Sequence, residues 1–534
     1  MWLKIENISK NNREKIVTLL LIVYNITIME LKIKYLDIQE IQDIVFLNVK
    51  DAIKERIDPG EKIIIKRSDS SYSSSAVLTK NIINEGFIGV PLEKSKRYNH
   101  LENDIVEVFP DANTELAHIS KKKLEGKILT KEEITKFVGG IINGNIDNVI
   151  ISSFLTTTQI LGTSTKEIEY LTRAMAETGT MISFDKGPIM DVHSIGGVPG
   201  NKTALLTVPI VASSGLYIPK TSSRAITSPA GTADVVEVIS PVDFSPDKLK
   251  EIVKTTGGCL AWSGVLNLTP ADEKIVEVER RLHIDPEPII LASVLSKKYA
   301  MGAEYLLIDL PMGEGTKINT WENARKLASN FTDLGSSLGM HVEVAVTYGG
   351  QPIGNAVGPA LEAREALMAL EGKQSGSLTE KAIGLAAILL ELGKKAEAGK
   401  GKVMARGILE SGKALEKFRE IIAAQGGDSD IKPEEIPLGK YKETILSEDS
   451  GYITKVDNAT IVKVAKILGT PFDKGAGLLL NYKVGDRVEK DDVIVELFAE
   501  SKERLLSAKR FLDYNRIFQT EGMILKRFPG LKVI

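Results

Sequence analysis

The sequence predicts an α/β protein of several domains: an N-terminal β-rich domain, a helical domain, a central α/β domain with a mostly parallel sheet, and a C-terminal α+β domain. The chain has 534 residues, which is more than one ordinary domain contains. Short β-branched runs, broken by Gly, Pro, Asn and Asp, occupy both ends of the chain. Between them, helical periodicity comes first, and then strand-like and helix-like segments alternate as in parallel βα units.

The N-terminal residues precede the β-rich pattern. Their apolar stretch, residues 16–24, is far shorter than the roughly 20 residues of a membrane-spanning helix, and no small-residue cleavage site follows it. Alternation of apolar and polar residues begins at Met29. We therefore predict that residues 1–28 are an extension, translated from an upstream start codon, and that the chain has no membrane anchor.

Changes in pattern set the other domain boundaries. Two pairs, Thr130 with Glu133 and Ser164 with Glu167, have the spacing of capping boxes and stand ahead of helical apolar repeats. The predicted domains are an N-terminal extension at 1–28, a β-rich domain at 29–112, a helical domain at 113–185 with a returning segment near 270–300, a central α/β domain at 186–430 and a C-terminal α+β domain at 440–534.

Composition and charge narrow the class of protein. Hydrophobic residues make up 43% and charged residues 26% of the chain, and the formal net charge is -3, so neither nucleic acid nor an anionic membrane is expected as the main partner. A single cysteine, Cys259, cannot form an intrachain disulfide, and no cysteine and histidine spacing indicates a metal site. These features predict a cytoplasmic enzyme or binding protein without a metal.

The stretch HSIGGVPGNKT, His193 to Thr203, is similar to a phosphate-binding loop but lacks its second glycine. A Walker A loop reads G-x-x-x-x-G-K-[ST], and here Asn201 stands where that glycine belongs, ahead of Lys202. The stretch joins a predicted strand to a predicted helix, where free N–H groups and the helix dipole favour an anion. A tight turn that needs glycine only for its backbone is an equally good interpretation of this loop alone.

A second stretch, KTSSRAITSPAGTADVVE, gathers hydroxyl side chains and a Pro-Ala-Gly turn around Arg224. Hydroxyls, amides and a guanidinium are suited to a dianion, because each donates a charge-assisted hydrogen bond. On its own, the stretch is more commonly a solvated Ser/Thr-rich loop. Two such loops at successive strand-to-helix junctions predict a ligand site beyond the carboxyl ends of a parallel sheet.

The ordered series of motifs resembles the thymidine and pyrimidine-nucleoside phosphorylase superfamily. The resemblance is closest to its archaeal branch, the AMP phosphorylases, which carry an added N-terminal β domain, and it runs from about residue 30 to near the C-terminus. The stretches that carry it are HSIGGVPGNKT, PKTSSRAITSPAGTADVVE, PADEK, ASVLSKKYAMGAEYLLIDLPMGEGTK and QPIGNAVGPALEAREALMALEG.

Two departures from the thymidine phosphorylase pattern concern the substrate. That pattern has Lys-His-Ser-Thr-Gly-Gly, whereas this chain has Val192 at the lysine and Ile195 at the threonine. Its Ser-Gly-Arg-Gly-Leu-Gly-His-Thr-Gly-Gly-Thr stretch is here interrupted by further hydroxyl residues and Pro229. These differences disfavour thymidine, and the extra hydroxyls suit a substrate with a 5′-phosphate.

The resemblance implies phosphorolysis of nucleoside 5′-monophosphates. AMP and phosphate would give adenine and ribose 1,5-bisphosphate, with CMP and UMP as further substrates. It also implies that inorganic phosphate is a co-substrate, that no metal or organic cofactor is needed, and that the chain forms a homo-oligomer, a dimer through the helical domain or larger. Closure of facing domains is expected to assemble the reaction geometry.

The resemblance carries a set of site residues onto this chain. Asp285 is implied as the proton donor to the leaving base, and Lys297 as a secondary, base-side candidate. The implied substrate-binding residues are Gly197, Ser223, Arg224, Ala225, Ile226, Thr227, Ser228, Thr232, Ser293 and Lys317. The candidates for phosphate and sugar are His193, Ser194, Lys202, Thr203 and Ser222.

The implied chemistry sets a condition on Asp285. The base leaves with developing negative charge, so a proton donor at the base accelerates the reaction, but a carboxyl group is protonated near neutrality only if burial or a neighbour such as Glu287 or Glu279 raises its pKa. From the residues alone, a turn or a helix cap before Pro286 is the commoner role for Asp285. Two alternatives remain: a thymidine or pyrimidine nucleoside phosphorylase, and a nucleotide-binding protein without catalysis.

Overall fold

The computed structural model describes residues 29–37, 43–67, 70–110, 114–225 and 228–523. The predicted extension at residues 1–28 therefore lies outside the described residues. Contacts divide the chain into two compact units: one holds the residues up to 162 together with 274–286, and the other holds 163–273 and 287–534.

A closed six-stranded barrel begins the first unit, with strand order β1-β5-β2-β4-β3-β6. Alternation places Leu31 and Ile33 inside the barrel and the lysines between and after them outside, which confirms the predicted β-rich domain. Two short helices, α1 (Val49–Lys54) and α2 (Leu92–Arg97), connect strands of the barrel. The strands are β1 (Met29–Leu36), β2 (Ile44–Asn48), β3 (Lys62–Lys66), β4 (Ser71–Thr79), β5 (Phe87–Pro91) and β6 (Ile105–Pro110).

Three helices follow in the same unit: α3 (Thr114–Leu124), α4 (Lys131–Ile142) and α5 (Asn148–Leu161). The predicted capping box at the start of α4 is confirmed, because Thr130 Oγ1 accepts from the Glu133 amide at 3.3 Å and the Glu133 carboxylate accepts from the Thr130 amide at 2.8 Å. Helix α4 therefore begins where the sequence predicted it.

The next helix, α6 (Thr165–Glu177), starts at the second predicted capping box and belongs to the second unit. Ser164 and Glu167 exchange hydrogen bonds of 3.1 and 3.3 Å there. The contact division thus falls at residue 162, inside the segment predicted as the helical domain, and the exact domain boundaries remain predictions.

The second unit is built around five parallel strands in the order β11-β10-β7-β8-β9, with β7 and β8 joined by a bridge between Ile189 and Tyr217. All five carboxyl ends therefore meet at one edge, and the predicted α/β domain is confirmed. The strands are β7 (Met190–Ser194), β8 (Ile218–Ser222), β9 (Gly258–Trp262), β10 (Tyr305–Met312) and β11 (His341–Tyr348).

Helices cover this sheet and supply most of its core. The helix that follows β7 is buried on all sides, from Ala204 to Ala212, so it runs through the core of the unit. The helices are α7 (Ala204–Ser213), α8 (Thr232–Val236), α9 (Pro246–Thr256), α11 (Glu287–Ala300), α12 (Trp321–Ser337), α13 (Pro359–Leu370), α14 (Ser377–Leu392), α15 (Gly401–Glu410) and α16 (Lys413–Ala424). Helix α10 (Pro270–Leu282) comes between α9 and α11 in the chain, and most of it belongs to the first unit, which includes residues 274–286.

The C-terminal part is a mixture of antiparallel strands and two helices, as predicted. One sheet has the order β12-β15-β17-β13 and another the order β16-β14-β18. The elements are β12 (Ala356–Val357), β13 (Tyr441–Leu446), β14 (Gly451–Val456), α17 (Asn458–Leu468), β15 (Gly477–Leu480), β16 (Arg487–Val488), β17 (Val493–Ala499), α18 (Lys502–Leu512) and β18 (Phe518–Glu521). Within the described residues, no helix is long and apolar enough to cross a membrane.

Candidate active site

The predicted phosphate-binding loop joins β7 to α7 at the carboxyl edge of the parallel sheet. Its three glycines, Gly196, Gly197 and Gly200, have φ values of 78°, 89° and 73°, a region that favours glycine. Gly200 is also needed for space, because a Cβ there would lie 2.7 Å from the carbonyl oxygen of Ile353. Backbone geometry therefore requires glycine at these positions whether or not an anion is bound.

Asn201, which replaces the second Walker glycine, organises the hydroxyls of the loop. Its side-chain amide donates to Ser194 Oγ at 2.8 Å, and its carbonyl oxygen accepts from Thr203 Oγ1 at 2.8 Å. The side chain of Asn201 therefore connects Ser194 and Thr203, which were both predicted to belong to this loop. Asn201 was not predicted to contribute to the loop, although its position in the motif, in place of the second Walker glycine, was a signal for it.

Lys202 was predicted to contact an anion, and the structure corrects this prediction. Its side chain is fully buried, and its ammonium group donates to the carbonyls of Ile353 and Ala356 at 3.0 and 2.8 Å and pairs with Glu365 at 2.5 Å. These three partners use all three donors of the ammonium group. In this structure Lys202 holds the loop onto the protein and has no donor left for a phosphate.

Gly197 and Lys317, both predicted to bind substrate, lie close together. A Cβ on Gly197 would be 3.3 Å from the amide nitrogen of Lys317. Lys317 is exposed in the turn after β10, and Thr316 shapes that turn through bonds to Gly313 and Ile318. Lys317 therefore lies beside the first loop.

The second predicted loop follows β8, and Asp234 of α8 binds its backbone. The buried Asp234 carboxylate accepts from the amides of Ala225 and Gly231 at 2.7 and 2.9 Å. Ser223 is exposed, while Ser222 and Thr232 at the two ends of the loop are half-buried. Two predicted members of this loop, Ile226 and Thr227, lie outside the described residues.

Another predicted member, Ser228, bonds within the loop, donating from Oγ to the carbonyl of Ala230 at 3.0 Å. This bond and the Asp234 contacts shape the described part of the loop. Asp234 itself was not predicted from the sequence, because its acceptor role depends on how the loop folds back over α8.

Arg224, expected at the centre of a dianion site, is paired with a carboxylate. It makes two hydrogen bonds to Glu237, of 2.6 and 2.5 Å, and its guanidinium lies over the ring of Trp262. This pairing lowers the pKa of Glu237 to about 2, so the pair is ionised and nearly neutral overall. Any anion that binds Arg224 has to compete with Glu237.

Ser293 and Lys297 lie one turn apart on α11 and contact each other. Lys297 Nζ donates to Ser293 Oγ at 3.1 Å and to the buried Asp272 carboxylate at 2.5 Å. The other Asp272 oxygen has no hydrogen-bond partner among the described residues. The two predicted residues therefore form one polar group with a carboxylate that the sequence analysis missed.

A group of buried charges lies beneath the two loops. Asp191 on β7 pairs with Lys298 of α11 at 2.7 Å, and both Lys298 and Lys220 of β8 reach the carbonyl of Thr221, at 3.4 and 2.9 Å. All three charged side chains are buried. We call Asp191, Lys220 and Lys298, together with His193, the lysine cluster.

The cluster shifts the protonation of its members. Burial and the neighbouring Lys298 lower the pKa of Lys220 to about 7. Burial, with Lys298 and Lys220 nearby, holds the pKa of His193 well below its usual range, and no hydrogen-bond partner of His193 Nδ1 is found in the described residues. The sequence signal that was overlooked is a lysine in the middle of an otherwise buried strand.

Asp285, the predicted proton donor, belongs to the first unit. It lies in the short link between α10 and α11 and is exposed. The burial that its proposed role requires is therefore not present in this structure. Glu287, suggested as a neighbour that raises its pKa, bonds instead to Lys326 and Asn330, at 3.1 and 2.5 Å.

Among the described residues, no group of three or more His, Cys, Asp or Glu side chains is arranged to hold a metal ion.

Family models match three segments of the chain. A glycosyl transferase family helical bundle domain matches residues 117–179, a glycosyl transferase family α/β domain matches residues 186–415, and a pyrimidine nucleoside phosphorylase C-terminal domain matches residues 452–516. These matches, with the parallel sheet and its two loops, define the class of protein as a glycosyl transferase of the pyrimidine nucleoside phosphorylase type.

Relatives with known names agree along nearly the whole chain. AMP phosphorylases from Thermococcus sibiricus and Thermococcus kodakarensis are 50% and 51% identical over 504 residues, which is 94% of this chain and 100% of each relative. The AMP phosphorylase of Methanocaldococcus jannaschii is 47% identical over 499 residues, 93% of this chain and 99% of the relative. The chain belongs to the AMP phosphorylase family, as its motifs predicted.

A more distant likeness concerns the fold alone. An anthranilate phosphoribosyltransferase from Thermus thermophilus is 20% identical with a TM-score of 0.50, and the match covers 58% of this chain and 99% of that one. The shared part confirms an α/β architecture of this kind.

Proposed function

We propose that the chain is a pentosyltransferase that catalyses phosphorolysis of nucleoside 5′-monophosphates. AMP and inorganic phosphate give adenine and ribose 1,5-bisphosphate, and CMP and UMP are further substrates. The observation that carries the proposal is the identity of about half of all residues with AMP phosphorylases along 94% of the chain.

The loop between β7 and α7 is proposed to hold the attacking phosphate. Support comes from the glycine backbone at 196, 197 and 200, whose N–H groups are suited to an anion at a helix N-terminus, and from Ser194, which Asn201 orients. Thr203 and Ser222 border the same site, and His193 lies at its base. Lys202 is left out of the proposed ligands because its donors are used inside the protein.

The loop between β8 and α8 is proposed to bind the nucleotide, including its 5′-phosphate. Its hydroxyl residues, Ser223, Ser228 and Thr232, stand at the carboxyl edge of the sheet where ligands of such folds gather. Arg224 joins them when a phosphate displaces Glu237 from its guanidinium. Gly197 and Lys317 form the rim of the same site, and Ser293 with Lys297 faces the base.

The proposed chemistry is a single displacement at C1′ of the ribose. A phosphate oxygen forms the new bond to C1′ while the bond from C1′ to the base nitrogen breaks, and its electron pair leaves with the base. Asp285 is proposed to give a proton to the base and so to neutralise the charge that develops on it. This role requires that substrate binding buries the Asp285 carboxyl group, which is exposed in the structure, and so raises its pKa. Holding both reactants side by side contributes at least as much, since orientation alone lowers a barrier by about 7 to 11 kcal/mol.

A substitution of Asp285 tests its assigned role. Asp285→Asn keeps the size of the side chain but removes the proton donor, so kcat for adenine release is expected to fall by about 100- to 10,000-fold. Binding of AMP, measured by calorimetry, is expected to change little. Release of adenine is followed by chromatography at fixed, saturating phosphate.

Asp247→Asn is the matched control, because Asp247 is an exposed aspartate in the first turn of α9 with no proposed role. It is expected to turn over like the unmodified enzyme. Equal turnover of Asp285→Asn and the control would remove Asp285 from the mechanism. If neither variant nor the unmodified protein released adenine while AMP still bound, the chain would be a nucleotide-binding protein without catalysis.

The remaining parts of the proposal concern cofactors, assembly and location. Phosphate is a substrate in this reaction, and the displacement at C1′ proceeds without a metal or an organic cofactor. We further propose that the chain forms a homo-oligomer, a dimer or larger, acts in the cytoplasm, and takes small-molecule nucleotides and phosphate, not nucleic acid or membranes, as its partners.

A further inference from the structure

The lysine cluster has one more cation than its carboxylate can neutralise. Asp191 is completely buried and pairs directly with Lys298 at 2.7 Å. Lys220 has no carboxylate within ion-pair distance among the described residues, and its ammonium group donates to the carbonyl of Thr221 at 2.9 Å. Two buried ammonium groups thus share one carboxylate and one carbonyl, an arrangement that is costly without a further anion.

In the described elements that pack against β8, no other group relieves this excess. On the neighbouring strand β9, the buried Cys259 is kept protonated, because burial and Asp191 raise the pKa of its thiol. The buried residues of α7 and α9, which pack against β8, are apolar or threonine. Asp234 of α8 is committed to the amides of the second loop.

The excess charge of the lysine cluster lies next to the two loops along the chain. Asp191 and His193 lie on strand β7, three residues and one residue before Ser194, where the strand ends at the first loop. Lys220 lies two residues before Ser222, where β8 ends at the second loop. The buried ammonium groups of Lys220 and Lys298 both act on His193. A dianion held by the first loop would therefore sit above an unbalanced positive charge in a region of low polarity, where such charges interact strongly.

We propose that Lys220 is an electrostatic positioning residue for inorganic phosphate, acting through His193 and the first loop and taking up a proton when the dianion binds. Its ammonium group does not touch the substrate. In the free protein, the pKa of Lys220 of about 7 leaves a large share of it neutral at physiological pH, and the bound dianion favours its charged form. This inference rests on the proposed phosphorolysis.

The test compares KM for phosphate between pH 6 and pH 9 at saturating AMP, for the unmodified enzyme and for Lys220→Met. At pH 6, where Lys220 is charged, the substitution is expected to raise KM for phosphate about tenfold, the size of one charge-assisted interaction. The ratio of the two KM values is expected to shrink as the pH rises and Lys220 loses its proton. The ionisation of phosphate itself is common to both proteins and cancels in this ratio.

Two further variants separate an electrostatic role from a structural one. Lys220→Arg keeps its charge at every pH tested, so its KM for phosphate is expected to stay low at pH 9. Lys94→Met removes another fully buried lysine, in the β-barrel, and is expected to leave KM for phosphate unchanged. A ratio for Lys220→Met that stays constant from pH 6 to pH 9 would overturn the inference, because loss of packing does not depend on the charge of Lys220.

Calorimetry on the unmodified protein gives an answer that needs no variant to fold. Phosphate is titrated at pH 8, where it is mostly a dianion, in two buffers with different ionisation enthalpies. The inference predicts net uptake of protons from the buffer, and zero uptake would contradict it. If AMP released no adenine in the presence of phosphate, the proposed function would fail, while proton uptake on phosphate binding would still decide the role of Lys220.

Discussion

Two glutamates on α13, Glu362 and Glu365, are buried close to each other and have opposite protonation preferences. Burial raises the pKa of Glu362 to about 7, although the Gly358 amide donates to it at 3.1 Å. Burial also acts on Glu365, but its ion pair with Lys202 prevails and lowers its pKa. At neutral pH one carboxyl is therefore ionised in its pair while the other is partly protonated.

This difference predicts a pH-dependent stability. Between pH 4.5 and pH 7 the folded protein holds a proton on Glu362 that the unfolded chain has lost, so Glu362 makes stability fall as the pH rises through this window. Glu362→Gln still accepts from Gly358 but does not titrate. We expect the variant to gain about 2 kcal/mol relative to the unmodified protein between pH 5 and pH 8, measured as a difference in Tm by calorimetry.

The matched control is Glu365→Gln, which leaves Lys202 without its carboxylate. It is expected to lower Tm at both pH values. A Tm difference between Glu362→Gln and the unmodified protein that is the same at pH 5 and pH 8 would show that Glu362 does not titrate in this window.

At the scale of elements, the first loop is held in place by segments that come much later in the sequence. Lys202 binds the carbonyls of Ile353 and Ala356, next to β12, and Lys483 of the C-terminal part binds the carbonyls of Pro352 and Gly354. β12 in turn pairs with β15 of the C-terminal sheet. The geometry of the phosphate loop therefore depends on the C-terminal part as well as on its own glycines.

Lys202→Met tests this scaffold role against the anion contact that the sequence predicted. The structure predicts a loss of about 3 to 5 kcal/mol in stability, because Glu365 is left as an unpaired buried charge. The double variant Lys202→Met with Glu365→Met is expected to recover much of that loss, since an apolar pair replaces the buried ion pair. Thermal unfolding followed by circular dichroism measures both. A stable Lys202→Met protein with a greatly raised KM for phosphate would instead support the direct contact.

The elements that the sequence predicted well are those determined by local patterns. The capping boxes at Thr130 and Ser164, and the loop with its glycines at 196, 197 and 200, each depend on residues near them in the chain. Predictions for Lys202 and Arg224 did not anticipate their partners, because Glu365 and Glu237 become neighbours only on folding. A motif predicts where a loop lies, but not which of its side chains turn inward.

At the scale of the whole molecule, the first unit presents apolar side chains to solvent. Val149 and Ile160 at the two ends of α5 are 75% and 73% exposed, and Leu124, Ile128 and Leu161 are also exposed. Val149 and Ile160 are eleven residues apart, about three helical turns, so they lie on the same face of α5. Exposed apolar faces on a folded protein commonly mark an interface. This supports the proposed homo-oligomer, with helices α3 to α5 as part of the contact between copies.

Charged substitutions on α5 test the assembly. Val149→Lys with Ile160→Lys is expected to weaken self-association by at least tenfold, because each lysine must be desolvated at an interface. Sedimentation of the protein across a concentration range measures it, with Val403→Lys, an exposed valine on α15, as the control. If the unmodified protein sediments as a monomer at micromolar concentration, the proposed oligomer is wrong.

The central claim is the phosphate-dependent cleavage of AMP, and the most direct measurement follows release of the free base. Purified protein is incubated with AMP and, separately, with adenosine or thymidine, each with and without inorganic phosphate, and the products are separated by chromatography. We predict adenine from AMP only when phosphate is present, together with ribose 1,5-bisphosphate. Thymine from thymidine with AMP left intact would contradict the assignment of the loop between β8 and α8 to a 5′-phosphate.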